Sequence, residues 1–209
     1  MEHESRIISN SSINKCWEEA MKCFIDNAYS QNICGKEYLL LNNLTIQVSG
    51  YVLDTELSKY CPWQLKSFEY YLSQVNLPGK YSEMGRMYAF GTQQINQYEY
   101  AIRMMRKRKN IKPVVIPVYD PYRDNREHVP TPCISNIILD LYNEEINMYV
   151  NYLTMNIFRM GLLDFQQMAY LHQIIARDSE RKVGSLRLFL TQVHMPIFDF
   201  VVSKKLFGR

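Results

Sequence analysis

Residues 133–195 hold the pattern that most limits what this chain can fold into. CISNIILDLYNEEINMYVNYLTM (133–155) alternates apolar and polar residues on both sides of Asn143-Glu144-Glu145, so it predicts two strands joined by a turn. DFQQMAYLHQIIARD (164–178) then changes period, placing Met168, Leu171, His172 and Ile175 on one helical stripe. SLRLFLTQVHM (185–195) returns to strand character. A hairpin, a helix and a further strand in this order require a sheet with a helix packed on it.

Upstream runs extend the same scheme. INKCWEEAMKCFIDNAY (13–29) has helical spacing at Ile13, Cys16, Trp17, Ala20, Met21 and Phe24, and YLLLNNLTIQVSG (38–50) reads as a strand. PWQLKSFEYYLSQV (62–75) and INQYEYAIRMMRKRKN (95–110) read as helices, the second ending in cations that suit a helix C-terminus. KPVVIPVYDP (112–121) reads as a buried strand stopped by Asp120-Pro121, and Met1–Asn10 as a frayed polar terminus. The expectation is one α+β domain over residues 1–209, a mixed β-sheet layered with helices.

Composition narrows the function classes. The net charge of +3 over 209 residues gives no strong case for nucleic acid or membrane as partner. RMMRKRKN (103–110) is a solvated helix end or an anion or nucleic-acid contact, and the absence of interleaved aromatics argues against nucleic acid. Five cysteines without C-x-x-C spacing, and no signal peptide or long apolar run, point to a reducing cytoplasm and no metal site.

Cys133, behind V-P-T-P, is either a small buried hydrophobe opening a strand or a nucleophile, which needs a neighbourhood that favours thiolate. Asp164 stands where a helix N-cap would stand. His194, alone, reads as a structural histidine on a strand.

The order of motifs adds to this. I-x-Q-x-E-Y-x-I-x-x-M, V-V-I-P-V-Y-D-P, V-P-T-P-C, a hairpin, G-L-L-D-F, a long helix and V-H-M together resemble the thymidylate synthase and pyrimidine hydroxymethylase superfamily over roughly residues 94–200. The resemblance implies a homodimer joined through its sheet face, and 5,10-methylenetetrahydrofolate as cofactor. It implies Cys133 as the thiolate that adds to pyrimidine C6, making C5 able to attack a one-carbon unit. Asp164 falls where methylating members carry a uracil-reading asparagine; a carboxylate suits the cytosine amine instead. His194 matches a sugar-contacting histidine, and Glu69 or Glu83 would supply the family's glutamate.

The departures concern the phosphate clamp. Family arginine, serine and aspartate positions fall on Leu153, Thr154 and Asn156, and the partner-donated arginine pair falls on Lys112 and Pro113. Arg123, Arg126 and Arg159 are cations that would take over the clamp; otherwise the substrate lacks a phosphate, or catalysis is lost. The family's C-terminal closing segment is hard to find, and an open site would let water add at the exocyclic carbon. The expected function is therefore folate-dependent C5 hydroxymethylation, or methylation, of a cytosine-type nucleotide or nucleoside. The alternative is a catalytically silent relative that binds or assembles.

Overall fold

The structure is a computed structural model and describes residues 6–54, 56–73, 83–107 and 112–208. Its strands are β1 (Arg6–Asn10), β2 (Tyr29–Ile33), β3 (Lys36–Val48), β4 (Val114–Pro117), β5 (Ile134–Tyr142), β6 (Glu145–Asn156) and β7 (Lys182–Pro196). Its helices are α1 (Ile13–Asn27), α2 (Leu65–Ser73), α3 (Gly85–Tyr88), α4 (Gln97–Lys107), α5 (Pro121–Asp124), α6 (Gly161–Asp178) and α7 (Ile197–Leu206). The strands form one seven-stranded mixed sheet in the order β1-β3-β7-β6-β5-β4, with β2 also paired to β3. β1 with β3 and β6 with β7 run parallel, and the other neighbours antiparallel. The architecture is α+β.

Alternation along the strands sorts the two faces. On β6, Ile146, Met148, Val150 and Tyr152 are buried, while Asn147, Tyr149 and Asn151 point the other way and Leu153 is exposed. On β7, Leu186, Leu188 and Leu190 are buried, and Phe189 and Thr191 are exposed. α1, α6 and α7 pack on β3, β6 and β7 and share one core with their apolar residues. Each fully buried Leu or Met contributes about 1.5–3 kcal/mol, so the layered side carries most of the hydrophobic stabilisation.

Two local features aim the first turn of α6. The Trp17 indole N–H donates to the Ile157 carbonyl at 2.8 Å, fixing α1 against the turn after β6. A Cβ on Gly161 would stand 3.1 Å from Trp17 Nε1, so glycine permits this close approach.

Several expectations are corrected. Residues 6–10 are not frayed: they form β1, parallel to the 44–48 half of β3. The helix expected over 13–29 ends at Asn27, because Tyr29 opens β2 on the other half of the same β3 edge. α6 starts a turn earlier than Asp164, which makes Asp164 a first-turn residue and not the cap. The helices expected over 62–75 and 95–110 are α2 and α4, with 74–75 and 108–110 outside the described residues. β2, α3, α5 and α7 had no counterpart in the sequence reading.

Candidate functional site

Cys133 immediately precedes β5, and its carbonyl accepts the Leu153 N–H at 2.7 Å, so β6 holds it in place. Its own N–H donates to the Glu83 carboxylate. Glu83 lies just ahead of α3, and chain distance gave no hint of this pairing. Asp164, in the first turn of α6, accepts a 2.5 Å hydrogen bond from the Tyr71 hydroxyl of α2. Tyr152 of β6 is 2% exposed, and its hydroxyl has no hydrogen-bond partner among the described residues.

These five side chains act on one another electrostatically. Burial, then the charges of Glu83 and Asp164, push the Cys133 thiol up to about 12. Burial pushes the Asp164 carboxyl up to about 7; Glu83 adds to this, and the Tyr71 hydrogen bond opposes it. Burial also raises Glu83, against the lowering effect of backbone N–H groups at Cys133 and Ile134 and of Arg86. The Tyr71 and Tyr152 hydroxyls are raised by burial first and by neighbouring acids second.

The chemical consequence is a protonated thiol beside one acid raised to about 7 and a second, Glu83, raised by burial. Asp164 can give or take a proton at pH 7, and it can present either two acceptors or one donor and one acceptor. The guanidinium nearest Glu83 is held elsewhere. Arg86 pairs with Asp124 at 2.6 and 2.9 Å and donates to the Val118 carbonyl at 2.7 Å.

The other residues singled out from sequence distribute over separate places. Glu69 is exposed on α2, and the carboxylate that reaches Cys133 is Glu83. Thr154 Oγ1 and His194 Nδ1 are 2.9 Å apart, and both line a cleft of about 500 Å³ that also includes Lys36, Tyr38 and Gln192. Burial lowers the His194 pKa. The Asn156 side-chain oxygen accepts the Arg159 N–H at 3.0 Å, a turn-closing role. Arg159 is held by Asp199 at 2.5 and 3.0 Å, which removes it as a clamp cation. Lys112 is exposed at the approach to β4.

Sequence reasoning missed Tyr71, Tyr152 and the Arg86–Asp124 pair. The sixteen tyrosines hinted at polar-tipped aromatics in the interior, without saying which ones. A further cleft of about 490 Å³ is lined by Trp63, Lys66, Tyr70, Tyr71, Met160 and Leu163, and so touches the acid cluster through Tyr71.

Among the described residues, no helix is long and apolar enough to cross a membrane. Comparison of the sequence with protein-family models finds no match, and comparison with curated proteins finds none either.

Proposed function

We propose that the chain is a one-carbon transferase of the kind that its motif order resembles, acting on C5 of a cytosine-type pyrimidine. The observation that carries this reading is the meeting of Cys133, Glu83 and Asp164 from three distant segments around one thiol. In the proposed reaction Glu83 takes the thiol proton as Sγ bonds to C6, and the C5=C6 electron pair moves onto C5. Asp164 faces the exocyclic amine and ring nitrogen. Its acceptor oxygen takes the amine N–H, and when protonated its O–H donates to the ring nitrogen.

The aromatic cleft of Trp63, Tyr70 and Tyr71, with Lys66 at its side, fits a flat heteroaromatic with an acidic tail, as in 5,10-methylenetetrahydrofolate. That cofactor, when bound, supplies the carbon unit and leaves a hydroxymethyl or methyl product. A second copy of the chain is the proposed cover for the sheet face opposite the helices. There Tyr149 and Phe189 stack with centroids 6.4 Å apart, and Leu153 is exposed.

One observation favours a second reading, a silent relative that binds without turnover: the thiol sits at about 12 between acids, and Arg86 is engaged by Asp124. A single assay separates the two. Release of tritium from C5 of CMP, dCMP or cytidine needs only the thiol addition. Release that disappears in Cys133→Ala supports the transferase; no release above the Cys133→Ala background from any of the three leaves the binding reading.

A further inference from the structure

A cleft of about 640 Å³ lies between α3 with the 89–94 turn on one side and α5 with Arg126 on the other. Three of its features belong together. Arg123 and Arg126 line it, and neither forms an ion pair among the described residues. Arg86 lines it as well, with its side chain 9% exposed, and its Nε–H has no acceptor among the described residues. That N–H is sealed from the cleft, so Arg86 contributes to the wall and not a direct contact.

Among the described residues lining the cleft, the carboxylate of Asp120 offsets one of these cations and leaves an excess of positive charge. Asp124 is occupied by Arg86, and it also accepts the Asp120 N–H at 2.8 Å. The Asp120 carboxylate caps α5 by accepting the Tyr122 N–H at 3.0 Å. Arg126 is steadied from behind, its Nε donating to the Tyr122 carbonyl at 3.0 Å, which leaves the two terminal nitrogens of its fork for a ligand. Across from them, Gly91 sits at φ +66 with open space where a Cβ would be, so that wall stays low. The ring of Tyr122, 86% exposed, offers a flat surface at the rim.

We propose that this cleft binds the phosphate of a phosphorylated small molecule, with Arg123 and Arg126 as mobile donors. Planar guanidinium forks match phosphate oxygens in pairs, which one cation on a flexible stem cannot do. The volume exceeds what phosphate alone needs, so the ligand is a monoester on a compact organic body, such as a sugar or nucleoside that can lie against Tyr122. This site stands on its own residues and not on the thiol chemistry of Cys133.

The test is calorimetric titration of the full chain with inorganic phosphate, ribose 5-phosphate, CMP and cytidine. The two monoesters should bind with submillimolar Kd and phosphate more weakly. Arg123→Ala and Arg126→Ala should each weaken monoester binding roughly tenfold to a hundredfold, with Arg126→Lys in between. Both positions are at least partly exposed, so thermal unfolding should confirm that each variant folds. Cys133→Ala should leave ribose 5-phosphate binding unchanged. Monoesters that bind no tighter than cytidine, or an Arg123→Ala/Arg126→Ala double variant that still binds ribose 5-phosphate as the parent does, would overturn the proposal.

Discussion

Two titratable side chains lie roughly two turns apart on α6 and meet opposite fates. His172 is fully buried, with Nε2 2.6 Å from the Ile146 carbonyl and Nδ1 2.8 Å from the Tyr51 hydroxyl. Both ring nitrogens are satisfied by the protein, in the tautomer with Nε2 protonated, and burial pushes the imidazole down to about 4. Asp164 has one protein donor among the described residues, Tyr71, and stands with a second acid and a thiol while titrating near pH 7. A buried polar group whose partners are complete is structure. One held near its titration point with bonding capacity left over is available for a ligand.

The largest expected effect tests the structural end. His172→Ala removes a packed ring and takes the donor from the Ile146 carbonyl, while the Tyr51 hydroxyl keeps only the Ala169 carbonyl at 3.3 Å. It should cost about 3–4 kcal/mol in urea unfolding. Binding of CMP should stay at the parental value once the variant is kept folded. A variant of full stability that has lost CMP binding would reverse the comparison, making His172 the functional member.

The pH dependence of stability follows next, and the two groups pull in opposite directions. His172, depressed from 6.5 to about 4, contributes stability that is complete above pH 6.5 and lost as pH falls toward 4, up to about 3 kcal/mol. Asp164, raised from 3.8 to about 7, contributes stability that is complete below pH 4 and lost as pH rises through 7. In the parent chain these slopes oppose each other between pH 4 and 7. Asp164→Asn should expose the histidine, so that stability climbs with pH across that window; His172→Gln should expose the aspartate, so that it declines. Parallel pH profiles for parent and Asp164→Asn would show that the acid cluster is not strained.

A smaller effect concerns the thiol. Glu83→Gln keeps an acceptor for the Cys133 N–H but deletes the nearest negative charge. Alkylation of Cys133 at pH 9, followed peptide by peptide so that exposed Cys34 is counted apart, should accelerate roughly tenfold. An unchanged rate would mean that burial and Asp164, and not Glu83, hold the thiol protonated.

The same contrast explains what could be read from sequence. The long strands β3, β5, β6 and β7 and helix α1 announce themselves because each has one buried face, which imposes a period on its residues. β1, with the sequence RIISN, is short and half polar; it is a strand only because β3 offers it a parallel edge. α7, IFDFVVSKKL, has apolar residues all round and no period to read. At the site, Cys133 and Asp164 could be singled out because motif order frames them. Choosing Glu83 over Glu69 could not be done, since both are isolated acids in the sequence and only the packing of the 83–88 segment against the start of β5 brings one to the sulfur. Arg86 and Asp124 were equally hidden: a buried ion pair leaves no spacing for a reader to find.

The smallest predicted effect is also the most specific, because it depends on which proton Asp164 carries. Below pH 7 the neutral carboxyl offers one donor and one acceptor, and that pair complements the N3 and N4 edge of cytosine and the O4 and N3–H edge of uracil alike. Above pH 7 the carboxylate offers acceptors only: at cytosine it keeps the amine N–H and faces the N3 lone pair, and at uracil it keeps N3–H and faces the O4 lone pairs. Binding of CMP and of UMP in equilibrium titrations should therefore weaken together between pH 6 and 8, by about tenfold if a single hydrogen bond to the carboxyl is at stake. In Asp164→Asn the side chain cannot titrate, so both affinities should be flat with pH. A parental affinity that stays flat would place Asp164 away from the base edge while leaving its raised pKa intact.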